Sequence, residues 1–318
     1  MGNSIFSQII GHEKVCEYFE QIIENQQISH AFLFVGPANV GKTALAEALI
    51  KEMMGTNQLE SHPDFIAIKR EIDEKTDKQK AHISVKQIRD LRDRLAMTAM
   101  QGGRKAVFIE EADKMNLPAA NALLKTLEEP KGETIIILRA AQIEGVPATI
   151  ASRCQILRFH QVSAEKIDLA LRERGVSHPE AKTFAALAAG RPGLALRLIK
   201  DSEYKAEHEV AISTLINLLG QSTAERFKTL SEILPKEEIN KAQMLDKQLD
   251  SWENVIYDFW RQALGLAKKI DWPINSETMA QKSASDWQKV LRTIQEARRA
   301  AAHNANPQLV LEHILLAI

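Results

Sequence analysis

Short apolar runs alternate with amphipathic segments along the first half of the chain. Runs of four or five apolar residues, as at 31–35 and 106–109, are typical of strands buried in a parallel sheet. Between them, apolar residues recur three and four positions apart, which is the spacing of a helix with one buried face. Strands that alternate with helices predict an α/β domain over residues 1–160, with a mainly parallel sheet. The strands predicted there are 31–35, 65–68, 106–109, 134–138 and 156–159.

The second half of the chain carries helical stripes and almost no strand pattern. Residues 161–202 predict a small helical unit whose first helix begins after Ser163, a residue type favoured at helix N-termini. Residues 203–318 predict an independent all-helical domain, because apolar residues recur there at helical spacing. All four tryptophans fall in this domain, where packing in the core is the expected role. The stripes comprise Val210, Leu215, Leu218 and Leu219, then Trp252, Val255, Ile256, Phe259, Trp260 and Leu264.

The composition is that of an ordinary globular protein, with 45% hydrophobic and 26% charged residues among 318. A net charge of -1 at pH 7 argues against a protein that coats nucleic acid. Cys16 and Cys154 are too few for a disulfide framework or a four-thiolate zinc site. The N-terminus lacks a basic region followed by an apolar core, and no apolar run approaches membrane-spanning length. We therefore expect a cytoplasmic protein without a signal peptide.

A glycine-rich segment after the strand at 31–35 carries the strongest chemical signal. It fits the phosphate-binding pattern G-x-x-x-x-G-K-T at every fixed position, and a helical segment follows it. Glycines let backbone N–H groups face phosphate oxygens, while Lys42 would reach the outer phosphates and the Thr43 hydroxyl would bind magnesium. A plain glycine turn is the alternative interpretation, which the flanking strand and helix disfavour. The segment reads Gly36-Pro37-Ala38-Asn39-Val40-Gly41-Lys42-Thr43.

Two carboxylates, Glu110 and Glu111, follow the strand at 106–109. At the end of a buried strand beside a phosphate loop, the first can hold magnesium and the second can orient an attacking water. A solvated turn is the alternative for an isolated acidic pair. Together with the phosphate loop, the pair predicts a site for ATP and Mg²⁺.

Five motifs together resemble the AAA+ subunits of the bacterial sliding-clamp loader, and the resemblance covers residues 1–202. The motifs are residues 6–12, 36–43, 110–113, 120–130 and 152–154. Residues 62–64, 83–91 and 304–312 are most similar to the delta-prime type of subunit in DNA polymerase III. The resemblance implies an AAA+ P-loop domain (1–160), a helical lid (161–202) and a helical collar for oligomerisation (203–318).

The resemblance also implies partners and roles. A subunit of this type would join gamma/tau and delta subunits in a ring within the polymerase holoenzyme, and would be monomeric alone. The ring would open the sliding clamp, with which this subunit would have only indirect or weak contact, and place it on primed DNA. Arg153 matches the arginine finger that reaches a neighbouring subunit's nucleotide in trans. The alternative for Arg153 is a surface arginine that pairs with a carboxylate.

Several departures from the family pattern argue for weak or absent ATPase activity. Glu110 stands where the family has an aspartate, and the polar residue that the family has at the end of the strand at 134–138 is missing, since Ala140 and Ala141 stand near there. The arginine expected from the lid would fall near Gly193, although Arg191 and Arg197 are close. A site that lacks such donors can bind nucleotide and still stabilise the transition state poorly. The family's zinc cysteines are missing from residues 52–63, so we expect no zinc.

Two other functions remain open from the sequence. An ATP-hydrolysing gamma/tau-type motor subunit is favoured by the intact Lys42, Thr43 and Glu111 and opposed by the missing donors and cysteines. A standalone AAA+ remodeller that works as a homo-oligomer is the second. The ATPase rate of the isolated chain discriminates the first, and its mass in solution discriminates the second.

Overall fold

The computed structural model describes residues 5–73, 78–101, 103–233, 238–266, 282–302 and 305–318. The chain divides into two compact units. The first comprises Met1–Lys182 with Gly190–Leu194, and the second comprises Thr183–Ala189 with Ala195–Ile318. The division into residues 1–160, 161–202 and 203–318 stays a prediction.

A five-stranded sheet forms the centre of the first unit. Its spatial order is β2-β5-β6-β1-β7, and every neighbouring pair is parallel. Parallel neighbours end at the same edge, so the residues that follow β1, β5 and β6 meet at the carboxyl edge of the sheet. A short antiparallel hairpin of β3 and β4 lies outside this sheet. The strands are β1 Ala31–Val35, β2 Phe65–Ile68, β3 Ile72–Asp73, β4 Lys78–Gln79, β5 Lys105–Ile109, β6 Thr134–Ala140 and β7 Gln155–Arg158.

Two apolar clusters pack against the sheet. One includes buried residues of α3 and α4, and the other includes buried residues of α1 and α2. A capping box begins α3, because the Gln87 N–H donates to Ser84 Oγ and the Ser84 N–H donates to Gln87 Oε1. The helices are α1 Glu13–Glu24, α2 Lys42–Met54, α3 Val85–Ala96, α4 Leu117–Glu128, α5 Ala148–Ala151, α6 Ala164–Glu173, α7 His178–Leu187 and α8 Pro192–Lys200. Ser163 caps α6, as the sequence predicts.

The α/β class with a parallel sheet predicted for the first unit is confirmed, and three predicted strands have other bounds: β5 and β7 begin one residue earlier and β6 ends two residues later than the sequence predicts. The sequence ends the fourth predicted strand at Leu138, whereas β6 continues to Ala140. The continuation is explained by pairing, since Arg139 and Ala140 lie in register with Phe34 and Val35 of β1. The error matters because it places Arg139 inside the sheet, at its carboxyl edge.

The described part of the second unit, which also takes in the end of α7 and most of α8, is helical, as predicted for the collar. Its core contains Trp252 and Trp287, both fully buried. The prediction that Val210 and Leu264 lie on buried helix faces is wrong, because both side chains are exposed. Trp272 lies outside the described residues. The remaining helices are α9 Ser202–Leu219, α10 Thr223–Ile233, α11 Glu238–Ala263, α12 Ala284–Ala302 and α13 Pro307–Ala317.

Across the described ranges, every helix is too short or too polar to cross a membrane.

Candidate nucleotide site

The phosphate loop follows β1 and ends where α2 begins, at Lys42. Gly36 and Gly41 have φ values of 151° and 114°, which side-chain-bearing residues rarely adopt. A Cβ on Gly36 would lie 2.2 Å from the Phe159 carbonyl oxygen, so only glycine fits there. The helix N-terminus that closes the loop favours an anion through its dipole. The loop conformation therefore fits the phosphates of a nucleotide.

Lys42 is buried within this loop, with a residue exposure of 6%. Its Nζ donates hydrogen bonds to the carbonyl oxygens of Gly36 and Pro37. Burial, and after it repulsion by Arg139 and Arg191, lower the pKa of Lys42 to about 8, and Asp113 opposes them. The ammonium group is therefore held among positive charges, and a bound anion would relieve its repulsion.

Two segments distant in sequence contact the loop. His12 Nε2 lies 2.9 Å from the Val40 carbonyl oxygen, and burial lowers the pKa of His12. The Gly193 N–H donates to the Asn39 carbonyl oxygen over 2.8 Å. His12 belongs to the motif at 6–12. These contacts therefore give that motif and the start of α8 a role in holding the phosphate loop.

The close approach at Gly193 also explains the missing lid arginine. A Cβ on Gly193 would lie 2.9 Å from the Asn39 carbonyl oxygen, which leaves no room for a side chain. Of the two nearby arginines, Arg191 is buried and its charge reaches Lys42. The Arg197 guanidinium instead stacks on Tyr204, 3.6 Å from the ring centroid. Of the two, Arg191 is therefore the one whose charge acts on Lys42.

One guanidinium engages both side chains predicted to hold magnesium. Arg139 Nη1 donates to Thr43 Oγ1 over 2.6 Å, and Arg139 Nη2 donates to Glu110 Oε2 over 3.0 Å. The two oxygen atoms that would bind the metal are therefore already hydrogen-bonded to an arginine. This arrangement does not fit a divalent cation. The sequence reasoning missed Arg139 because it placed the strand end one residue before it. A charged residue at the end of a central apolar strand was the available signal.

A second arginine engages Glu111. Arg70 Nε donates to Glu111 Oε2 over 2.8 Å, and Arg70 Nη2 donates to Glu111 Oε1 over 2.7 Å. This two-point pairing uses both carboxylate oxygens and fixes their plane. Glu111 itself has a φ of 52°, a strained value for a residue with a side chain. Nothing local in the sequence pointed to Arg70, because it lies 41 positions before its partner.

Arg153 lies on the turn between α5 and β7. Its Nε donates to Glu128 Oε1 over 2.8 Å, and its Nη1 donates to the Thr149 carbonyl oxygen over 2.9 Å. β7 begins at Gln155 and runs parallel to β1, so Arg153 lies towards the amino edge of the sheet. The phosphate loop follows the carboxyl end of β1, at the opposite edge. Of the predicted site residues, Arg153 is therefore the one not brought to the phosphate loop of its own chain.

Comparisons with known proteins find similarity to subunits of DNA polymerase III. A family model described as DNA polymerase III, delta subunit, matches residues 11–163. The delta-prime subunit of Bacillus subtilis DNA polymerase III is 27% identical over 95% of this chain and 94% of its own length. That of Pseudomonas aeruginosa is 38% identical, but the match spans only 43% of this chain and 44% of the relative. The tau subunit of Bacillus subtilis is 30% identical over 51% of this chain and 30% of its own length.

Proposed function

We propose that this chain, a delta-prime-like relative of the clamp-loader subunits, serves in the bacterial DNA polymerase III clamp loader as a subunit that binds nucleotide and hydrolyses it weakly or not at all. Weak or absent hydrolysis is proposed because both carboxylates after β5 are paired with arginines. Membership of the clamp loader is supported by the likeness to a delta-prime subunit over nearly the whole chain.

Nucleotide would be held by the phosphate loop and Lys42, beside the N-terminus of α2. Hydrolysis requires a group that orients the attacking water and donors that stabilise charge in the transition state. Arg70 already binds both oxygens of Glu111, and the position of the lid arginine is filled by Gly193. Binding without efficient turnover is the behaviour that this arrangement supports.

Arg153 would act on a neighbouring subunit. Its place towards the amino edge of the sheet supports a role in trans, because its own phosphate loop is at the other edge. The ion pair with Glu128 does not oppose this role. Exposed pairs of this kind contribute about 0–1 kcal/mol, so releasing Arg153 to a partner's nucleotide costs little.

The remaining assignments follow from the likeness to delta-prime subunits. The chain would join gamma/tau and delta subunits in the cytoplasm, with residues 203–318 as the collar that assembles the ring. The ring would open the sliding clamp and place it on primed DNA, where contact by this chain would be electrostatic and directed at phosphates. The chain would be a monomer when isolated.

Reconstitution tests the proposal. The chain is mixed with the gamma/tau and delta subunits of its source organism, and gel filtration, ATPase activity and clamp loading onto primed DNA are measured. We expect one complex, and loss of clamp loading when this chain is omitted. The isolated chain should show almost no turnover. Failure to enter the complex contradicts the clamp-loader role, and a motor-like ATPase rate in isolation, abolished by Lys42→Ala, favours the gamma/tau-type alternative instead.

Arg153→Ala tests the role in trans. A guanidinium that acts on phosphoryl transfer contributes about 10³-fold or more at its own site, so hydrolysis by the assembled complex should fall severalfold. The matched control is Arg104→Ala, which breaks a comparable exposed pair with Glu133 next to β5. Both variants should fold and assemble like the wild type. Equal ATPase rates for the two variants would assign Arg153 a structural role.

A homo-oligomeric remodeller has no specific observation in its favour here. The intact phosphate loop favours the gamma/tau-type alternative, which the ATPase assay of the isolated chain decides.

A further inference from the structure

We propose that Arg139 supplies, from within the chain, the positive charge that a divalent cation supplies at other P-loop sites, so that this site binds nucleotide without magnesium. The inference rests on the nucleotide binding proposed above and specifies the ionic form of the ligand, free polyphosphate in place of its magnesium complex.

The first argument is the geometry of the two hydrogen bonds. Thr43 is the loop residue whose hydroxyl holds magnesium in P-loop proteins, and Glu110 stands where the carboxylate of the metal site is expected. Arg139 donates to both from two ends of one guanidinium, over 2.6 Å and 3.0 Å. A divalent cation that used the same oxygens would have to displace these bonds. It would also have to approach the positive charge of the guanidinium.

The second argument is that the sheet holds Arg139 in this position. β6 is the central strand, and Arg139 lies in register with Phe34, two positions before the loop begins. Its chain neighbours Leu138 and Ala140 are buried, and side chains alternate between the faces of a strand. Arg139 is therefore confined to the face occupied by Ile135 and Ile137, which belong to the cluster that includes buried residues of α2. The sheet therefore fixes a positive charge at this position that does not depend on magnesium.

The third argument is the local charge. Lys42, Arg139 and Arg191 are close enough for the two arginines to lower the pKa of the lysine, and Asp113 offsets them only in part. Glu110 is already neutralised by its pair with Arg139. Lys42 and Arg191 add positive charge beside this pair, so a nucleotide polyphosphate meets positive charge at the loop without any added metal.

The test compares ATP binding with and without magnesium. Isothermal titration calorimetry of the purified full-length chain is run with ATP in excess EDTA and again in excess MgCl2. We expect wild-type dissociation constants that agree within about threefold, because the chain supplies the compensating charge itself. Arg139→Ala should weaken ATP binding in EDTA by about tenfold or more, since a charge-assisted contact is lost. It should also recover part of that loss when magnesium is added.

Two further variants keep the result interpretable. Arg139→Lys retains the charge without the two-ended geometry and should lie between wild type and alanine in EDTA. Arg104→Ala breaks the exposed pair with Glu133, at the amino edge of the sheet, and should bind ATP like the wild type in both buffers. Circular dichroism melts establish that each variant is folded. If Arg139→Ala does not fold, the wild-type comparison and the lysine variant decide.

Three results would overturn the inference: wild-type binding at least about tenfold tighter with magnesium, Arg139→Ala binding ATP like wild type in EDTA, or no ATP binding in either buffer. The first two leave the proposed function intact, and the third also contradicts the nucleotide binding proposed above. Membership of the clamp loader is tested separately, by assembly and clamp loading of the reconstituted complex. Conversely, metal-free ATP binding by a chain that never enters the complex would support the role proposed for Arg139 and contradict the clamp-loader role.

Discussion

The buried ammonium group of Lys42 should couple both stability and nucleotide affinity to pH, in opposite directions. In the folded chain its pKa is lowered to about 8, against 10.5 for an exposed lysine. The unfolded chain therefore binds more protons than the folded chain between these two values. Stability must then rise with pH across that window, because the cost of the buried charge is fully present below pH 8 and is gone above about pH 10.5.

The size of the effect follows from the two pKa values. Each unit of difference corresponds to about 1.4 kcal/mol, so the full cost of charging Lys42 in the fold is about 3 kcal/mol. Between pH 8 and pH 10, about 2 kcal/mol of this should be recovered as stability. Lys42→Met carries no charge at the position, so its stability should lack this contribution. The difference between wild type and Lys42→Met isolates it from all other groups that titrate in the same range.

Nucleotide affinity should change in the other direction. A bound polyphosphate stabilises the charged form of Lys42, so binding above pH 8 requires the uptake of a proton. The dissociation constant should rise by about tenfold per pH unit above pH 8. The terminal phosphate of the ligand titrates near pH 6, well below this window, and does not contribute.

Two measurements check these expectations. Urea unfolding of wild type and Lys42→Met at pH 7.5, 8.5 and 9.5 should give stabilities that diverge with pH, at unchanged slopes. Calorimetric ATP titrations in EDTA, in two buffers of different ionisation enthalpy, should show proton uptake that approaches one per site above pH 9. A stability difference that stays flat from pH 7.5 to 9.5 would refute the buried-charge reasoning. Flat affinity with no proton uptake would show that Lys42 does not contact the phosphates.

Two further predictions concern the surroundings of the loop. Gly193→Ala should lower the melting temperature and weaken ATP binding severalfold, because the added Cβ would lie 2.9 Å from the Asn39 carbonyl oxygen; Gly103→Ala, whose Cβ would meet nothing within 4 Å, is the matched control. Equal behaviour of the two alanine variants would show that the start of α8 does not need its contact with the loop. Glu111→Gln should leave the ATPase rate of the reconstituted complex within about twofold of wild type, because Arg70 already binds that carboxylate. A loss of about 10²-fold is expected of an essential catalytic group and would show that this chain is a motor subunit.

Features with local causes could be predicted from the sequence. The phosphate loop is recognisable because its glycines, the strand before it and the helix after it are contiguous, and backbone conformation is set by neighbouring residues. The start of α6 after Ser163 and the strand at 65–68 were predicted for the same reason. The parallel α/β class follows from the order of strand and helix patterns along the chain.

What the site does with its carboxylates was decided only by the tertiary structure. Arg139 lies 96 positions from Thr43 and 29 from Glu110, and Arg70 lies 41 positions from Glu111. These pairs form because parallel pairing in register brings the ends of distant strands to one edge of the sheet. No spacing along the chain encodes that register. The sequence therefore determined that a phosphate loop with two neighbouring carboxylates is present, whereas the packing of strands determined that both carboxylates meet arginines.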